Sequence, residues 1–393
     1  MPFRQKTEHY NTPKMYGSKR LVPKLAIDRR QVQSSNNQTI SCPKSCLIFR
    51  DQHSSSSSML TVESVEPEKR AHYYFFKHHT CYDLLPGSAK LILLDSDLSI
   101  KKAFYALIYN NVRAAILWSS SHQAFVGMLT VTDFINVLVK TYNAEQYKME
   151  DFERASILEW QSYDTKTSAH PLVSVSPESS LLEAARILIK YRFHRLPVID
   201  PVFGNPLHIL THKRILKYAY LNRHSLSKAP YLSQTLEELI LGTYASKVQV
   251  IRTDTTVITA LHLFLLHQIS CLPVIDEHGR LTDLYSKFDV FNLAVTRSYN
   301  RLDITVYDAL AFHRSNRQRY PIPLTCRKTD TLGTVIERVV KSGVHRLVVV
   351  DDDNFVQGII SLSDILRYLI SKPLSRNGLA TVSGGSFTSP SFS

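Results

Sequence analysis

Three short stretches of the 393-residue chain run hydroxyl side chains into an aspartate at what reads as a helix start: LTVTD (129–133), LYSKFD (284–289) and ISLSD (360–364). A carboxylate accepts two hydrogen bonds, so Asp133, Asp289 and Asp364 suit the vicinal hydroxyls of a ribose. Thr130, Thr132, Ser286, Ser361 and Ser363 stand beside them. A helix N-terminus next to such a carboxylate adds amide donors and a favourable field for phosphate. The competing use is plain capping, worth about 1 kcal/mol per helix. From these residues alone, both readings stand. A fourth stretch, LTHKR (210–214), puts Arg214 where the others have aspartate. A guanidinium donates but cannot accept, so that position should bind ribose weakly or not at all, leaving Lys213 and Arg214 to reach phosphates held elsewhere.

A second constellation is basic. Arg113 in NNVRAA, His194–Arg195 in FHRLPVID and His345–Arg346 in VHRLVVVD each stand between a helix and an apolar strand, and His313–Arg314 come shortly before the last such unit. Arginine forms bidentate, charge-assisted bonds to phosphate and histidine adds a donor. Any one of them could be a solvated helix end or a cation on a helix C-terminal dipole. Recurrence of basic clusters, three of them at equivalent places, favours a shared phosphate-binding centre.

Four copies of one unit position these residues. Each begins with an amphipathic helical stretch (from Ile100, Leu181, Val257 and Thr331), runs into an apolar strand (RAAILW, HRLPVID, SCLPVID, HRLVVVD), turns into a second strand and closes with a helix. Asp133, Arg214, Asp289 and Asp364 mark the register, at spacings of 81, 75 and 75 residues. Self-similarity at a fixed period is a strong architectural signal. With a further strand ahead of it, as in PLVSV at Pro171, the unit reads as α/β. About 60 residues can hardly cover both faces of a sheet, so neighbours should pair. Lys228–Leu241 separates the second copy from the third and suggests two pairs. The ends differ: residues 1–70 are polar, with five serines at Ser54–Ser58, and Gly/Ser-rich sequence follows Leu374, so both should lack fixed structure.

Composition narrows the function. Net charge is +13, and the first 70 residues hold 12 basic and 6 acidic side chains, a balance suited to anionic partners. The five cysteines form no CxxC pair, so neither a disulfide framework nor a zinc site is expected and a reducing compartment fits. Cys271 reads as a small core residue. No apolar run reaches the ~20 residues of a membrane span, and Met1–Arg20 is too polar for a signal peptide. GxGxxG, GxxxxGK[ST], HExxH and GxSxG are all missing, glycine totals twelve, and the HH at 78–79 reads as a surface pair. Catalysis is not expected. Charge alone would allow non-specific nucleic-acid binding, but no recognition helix, zinc finger or RNA-binding aromatic signature accompanies it.

The four units resemble cystathionine-β-synthase (CBS) repeats, whose tandem pairs are called Bateman modules, and more closely the gamma regulatory subunits of AMP-activated protein kinase. CYDLLP at 81, GMLTVTDFINVL at 127, FHRLPVID at 193, ILTHKRILK at 209, LEELILGTYA at 236, YSKFDVFNLA at 285 and VHRLVVVD with GIISLSDIL carry the likeness from about Tyr74 to Ile370. The resemblance implies an α/β fold of four β-α-β-β-α repeats (71–145, 146–227, 228–300, 301–373) in two modules forming a disc. It favours the ribose role for the aspartates. It implies phosphate contacts from Arg113, His194, Arg195, Lys213, Lys287, Arg314, His345 and Arg346, and further nucleotide contacts from Met128, Val173, Thr243, Ser270 and Cys271. The ligands would be AMP, ADP and ATP, competing for up to three positions, with no metal. The chain would be a non-catalytic sensor partnered by a catalytic alpha kinase subunit and a beta scaffold, cytoplasmic with a nuclear pool allowed, and without specific nucleic-acid binding. The alternative is a degenerate scaffold, or a CBS regulator of a transporter or another kinase. The strand-prone AHYYFFKHHTCYDLL would pair with a sheet edge of the beta subunit, or serve as the first strand of repeat one. One departure is Gln268, where the family pattern has arginine, implying weaker phosphate affinity there.

Overall fold

The computed structural model describes residues 47–48, 70–143, 154–163, 172–226, 229–244, 247–291, 301–316 and 323–371, which all belong to one compact unit spanning 42–393. The expectations for the two tails fall almost wholly outside the described residues.

Strands are numbered from β1 (Leu47–Ile48). Repeat one holds β2 (Leu93–Asp95), β3 (Ala114–Ser119) and β4 (Ala124–Thr130); repeat two holds β5 (Val173–Ser174), β6 (Leu196–Ile199) and β7 (Pro206–Leu210). After β8 (Thr243–Tyr244), repeat three holds β9 (Ile251–Arg252), β10 (Cys271–Ile275) and β11 (Leu281–Ser286), and repeat four β12 (Thr325–Cys326), β13 (Arg346–Val350) and β14 (Val356–Ser361). The same order recurs in each. A short leading strand runs parallel to the central one: β2 with β3, β9 with β10, β12 with β13, and Val175 bridged to Val198 in repeat two. The central strand then pairs antiparallel with the one that follows. This is the expected β-α-β-β-α unit.

The linking helix owes its ends to local chemistry. In repeat two Ser180 caps Leu181–Lys190 by accepting from the Glu183 amide, and the helix buries Leu181, Leu182, Ala184, Ala185, Ile187 and Leu188 on one side. Just past the end of this helix each repeat has one left-handed residue: Asn111, Arg192, Gln268 and Gly343, with φ of 51°, 55°, 52° and 69°. That residue ends the helix and turns the chain into the buried central strand. A hydroxyl residue precedes the closing helical segment of each repeat: Thr130, Thr211, Ser286 and Ser361.

Two of the apolar cores are large, and they do not follow the modules. One joins repeats one and three, together with Ile157 and Trp160 at the head of 146–227 and Leu302 and Leu310 at the head of 301–373. Repeats two and four share the other, with Phe75, Phe76 and the Tyr231–Leu241 segment. Within a pair, the sheets meet through small clusters: Ile116, Leu172 and Ile199 between repeats one and two, and Leu281, Val348 and Val350 between three and four. Pairing of neighbours therefore holds at the sheets, while each of the two large cores joins a repeat of one pair to a repeat of the other. The segment between repeats two and three is likewise packed: Tyr231, Leu236, Leu239 and Leu241 are buried.

The stretch expected as a strand is a helix, Ala71–His78, followed by a 3-10 turn at Tyr82–Leu84. His72, Phe75 and Phe76 are buried at i, i+3 and i+4, the helical spacing, against the Leu181–Lys190 and Leu362–Ser371 helices. Aromatic content favours strand, and the burial pattern overrides it.

Candidate functional site

At each strand-to-helix junction the hydroxyl residue is the cap and the aspartate sits three residues on. Asp133 Oδ2 accepts from the Thr130 amide at 2.6 Å and its hydroxyl at 2.8 Å. Asp289 Oδ2 does the same with Ser286 at 2.8 and 2.6 Å, and Asp364 Oδ2 with Ser361 at 3.0 and 2.6 Å. This is the carboxylate half of a capping box, which the amides of Asp289 and Asp364 complete by donating to Ser286 and Ser361, whereas Thr130 Oγ1 accepts from the Thr132 amide. One carboxylate oxygen is committed to the cap, which fixes where the other points. Capping and ligand binding are thus compatible uses of one side chain.

The junctions converge on a cavity of about 700 Å³ lined by all four repeats, a volume in the range of small-molecule sites. Repeat one contributes Arg113, Met128, Thr130, Thr132 and Asp133; repeat two Val173, His194, Arg195 and Lys213. Repeat three contributes Ser270, Cys271, Ser286 and Lys287, and repeat four His345, Arg346, Ser361, Ser363 and Asp364, with Thr243 from the strand between the modules. Asp289 shares the box geometry but is not among the lining residues. Arg314 lies in the Val306–Asn316 helix, with its side chain outside the described ones.

Repeat two departs from the expected pattern. Lys213 reaches the cavity and donates to the Gly343 carbonyl of repeat four at 2.6 Å. Arg214, expected to reach phosphates too, turns away: its Nε donates to the Leu84 carbonyl at 3.0 Å. The guanidinium fills the position instead of the carboxylate and holds the 3-10 turn against the repeat. Residues that sequence reasoning overlooked also line the cavity: Arg192, His212 and Lys247.

Charge dominates the cavity wall. Among the described residues, Arg113, Arg192, Arg195, Lys213, Lys247, Lys287 and Arg346 face two carboxylates, Asp133 and Asp364. Arg113 stacks 4.4 Å over Phe288 and donates to His345 Nε2 at 2.9 Å. Arg346 donates to Ser270 Oγ at 2.9 Å and Lys287 to Thr132 Oγ1 at 3.3 Å. Burial, then Arg113, lowers the Arg195 guanidinium to about 10. Burial lowers Lys287 to about 8, with Asp133 opposing and Arg346 adding to it. Burial followed by the surrounding arginines and lysine takes His345 to about 3. His194 and His212 are lowered to about 4, again mainly by burial. His194 is exposed and lines the cavity, so water offsets part of its shift. Cys271 is buried and its thiol is pushed up by burial, as befits a small wall residue and not a nucleophile.

These histidines set an acid limit. Each is neutral in the folded chain and gains a proton near 6.5 once unfolded, so the unfolded state binds more protons as pH falls below that value. Stability is therefore expected to be lost between about pH 6.5 and 4, where the buried His212 titrates in the fold. Melting temperatures measured from pH 7.5 down to 4.5 should fall through that window, and His345→Gln should flatten the slope. A flat profile would contradict the desolvation of His212 and His345.

The model of the CBS domain matches residues 167–220, 242–295 and 320–371, and repeat one shares their strand order. The chain is 44% identical over 315 residues to the 5'-AMP-activated protein kinase subunit gamma-3 of Bos taurus, covering 80% of this chain and 63% of that protein. It is 43% identical over 314 residues to the Homo sapiens gamma-3 subunit, covering 80% and 63%. The chain thus spans less than two thirds of the length of these curated relatives. The crystal structure of protein MJ1225 from Methanocaldococcus jannaschii, proposed as an archaeal homolog of g-AMPK, shares the fold with a TM-score of 0.59 at 15% identity, over 74% of this chain and 99% of that one. The chain thus resembles CBS-domain proteins in three of its segments and, over most of its length, the gamma-3 subunits of 5'-AMP-activated protein kinase.

Proposed function

We propose that the chain is a non-catalytic, adenine-nucleotide-sensing subunit of an AMP-activated protein kinase. The observation that carries this reading is the cavity wall: among the described residues, seven lysines and arginines stand against two aspartates, drawn from four repeats. Like charges held together in a partly buried place cost stability unless a polyanion arrives. AMP, ADP and ATP supply that anion, and their ribose hydroxyls suit the aspartates of the capping boxes. The kinship with gamma-3 subunits supports the kinase as the partner. A bare scaffold would have no use for this concentration of cations.

The residues divide the work. Arg113, His194, Arg195, Lys213, Lys287, His345 and Arg346 hold phosphates. Asp133 and Asp364 accept from ribose, oriented by Thr130 and Ser361, with Thr132 and Ser363 beside them. Asp289 would join them where its second oxygen reaches a ligand. Met128, Val173, Thr243, Ser270 and Cys271 shape the remaining wall. No bond is made or broken. The ligand acts by binding one conformation of the assembly more tightly than another, and the coupling is reciprocal. AMP favours an assembly whose kinase activation loop is protected, and ATP does not. The partners are a catalytic alpha subunit and a beta scaffold, in the cytoplasm and in part the nucleus.

Reconstitution with alpha and beta subunits tests this. AMP should slow dephosphorylation of the activation loop several-fold relative to excess ATP, and the difference should vanish in Asp364→Ala. Assembly with no nucleotide effect on the loop would sink the proposal.

A further inference from the structure

Position-by-position comparison of the repeats isolates one corner of the cavity. Two residues after each left-handed cap comes a cavity side chain: Arg113, His194, Ser270 and His345 after Asn111, Arg192, Gln268 and Gly343. Repeat three is the neutral copy. Gln268, Ser270 and Cys271 stand where repeat two has Arg192, His194 and Arg195. Yet guanidiniums from both flanking repeats lean onto that corner. Arg346 donates to Ser270 Oγ at 2.9 Å, and Arg192 Nη1 donates to Gln268 Oε1 at 3.4 Å.

Arg192 has features a merely structural residue would not need. It occupies a left-handed position, φ 55°, where glycine is the low-cost choice and a long side chain is disfavoured. It is exposed and lines the cavity. Its contact with repeat three is to a neutral amide oxygen, which occupies one of the five guanidinium N–H groups and leaves the rest of the fork available. Glutamine at 268 supplies the acceptor that a lysine or arginine there would lack, and a cation there would repel Arg192.

We propose that Arg192 is a phosphate-binding residue lent by repeat two to the repeat-three corner, with Gln268 as the bracket that holds it. The proposal rests on the adenine-nucleotide reading above and deepens it. The neutral corner is then no gap in the phosphate centre, because its charge comes across the boundary between the two halves.

Calorimetric titration of the full chain with ATP and with AMP tests it. Arg192→Gln should weaken ATP binding about tenfold, the order expected for one charge-assisted contact, and AMP binding less, with the melting temperature of the unliganded chain unchanged. Arg192→Lys should recover part of the loss, and Gln268→Leu should show a smaller one. ATP affinity of Arg192→Gln within twofold of the parent, while Asp364→Ala loses binding, would overturn the proposal and leave the nucleotide reading standing. A fall in affinity accompanied by a lowered melting temperature would assign Arg192 to the fold and overturn it too. No binding of either nucleotide by the parent chain would overturn both readings.

Discussion

Arg195→Gln is expected to raise the melting temperature of the unliganded chain by a few degrees and to weaken ATP binding by one to two orders of magnitude. Both effects come from one cause. Burial, then Arg113, lowers the Arg195 guanidinium to about 10, yet at neutral pH it remains charged in folded and unfolded chains alike. Because the folded value is the lower one, holding that charge counts against the fold at every pH below about 10, and relief comes only above it. The burden is on the order of 1–3 kcal/mol, and removing it should raise the melting temperature by about 2–4 °C per kcal/mol in a chain of this size. A phosphate turns the same charge into an asset, through short charge-assisted bonds in a partly dry site. Stability and affinity should therefore move in opposite directions. A scanning calorimetry trace paired with an ATP titration reads both. A lowered melting temperature with intact binding would mean that the arginines brace the repeats and hold nothing.

Leu366→Ala is expected to cost about 3 kcal/mol, within the 2–5 kcal/mol usual for emptying a buried leucine site, while unfolding stays a single transition. Leu366 is fully buried on the Leu362–Ser371 helix of repeat four, which packs on the Leu181–Lys190 and His212–Leu221 helices of repeat two and on the Ala71–His78 helix. The void opens in a core that belongs to both halves. Urea unfolding followed by fluorescence and by circular dichroism should give coincident curves shifted to lower urea. Two separated transitions would show that the halves fold independently, and a loss below about 1 kcal/mol would show that this core is loosely packed.

What the sequence revealed and what it hid follow from the range over which each signal acts. Helix caps and buried strands are local, so the period of 81, 75 and 75 residues and the β-α-β-β-α order could be read directly from the residues. The cavity set was largely legible too, because His194, Arg195, His345 and Arg346 recur at one position of the unit. The partner of an amphipathic face is a tertiary matter, and nothing in the Leu181–Lys190 stretch says that it meets repeat four. The Ala71–His78 helix was hidden behind aromatic, strand-like composition, although His72, Phe75 and Phe76 carry the helical spacing. Arg214 was misjudged because its residue type was right for phosphate and only the fold turns it to Leu84. Arg192 had a signal that went unused: its place in the period, beside Asn111, Gln268 and Gly343, marks a recurrent turn into the cavity.

The central claim is that this cation-lined cavity holds adenine nucleotides through its capping-box aspartates. The most direct measurement is a calorimetric titration of the full chain with ATP, followed by displacement with AMP, in the parent and in Asp364→Ala. Saturable ATP binding that AMP displaces, with affinity or stoichiometry reduced in Asp364→Ala and circular dichroism unchanged, is the expected result. A well-folded parent that binds neither nucleotide, or an Asp364→Ala chain that binds both as the parent does, would contradict it.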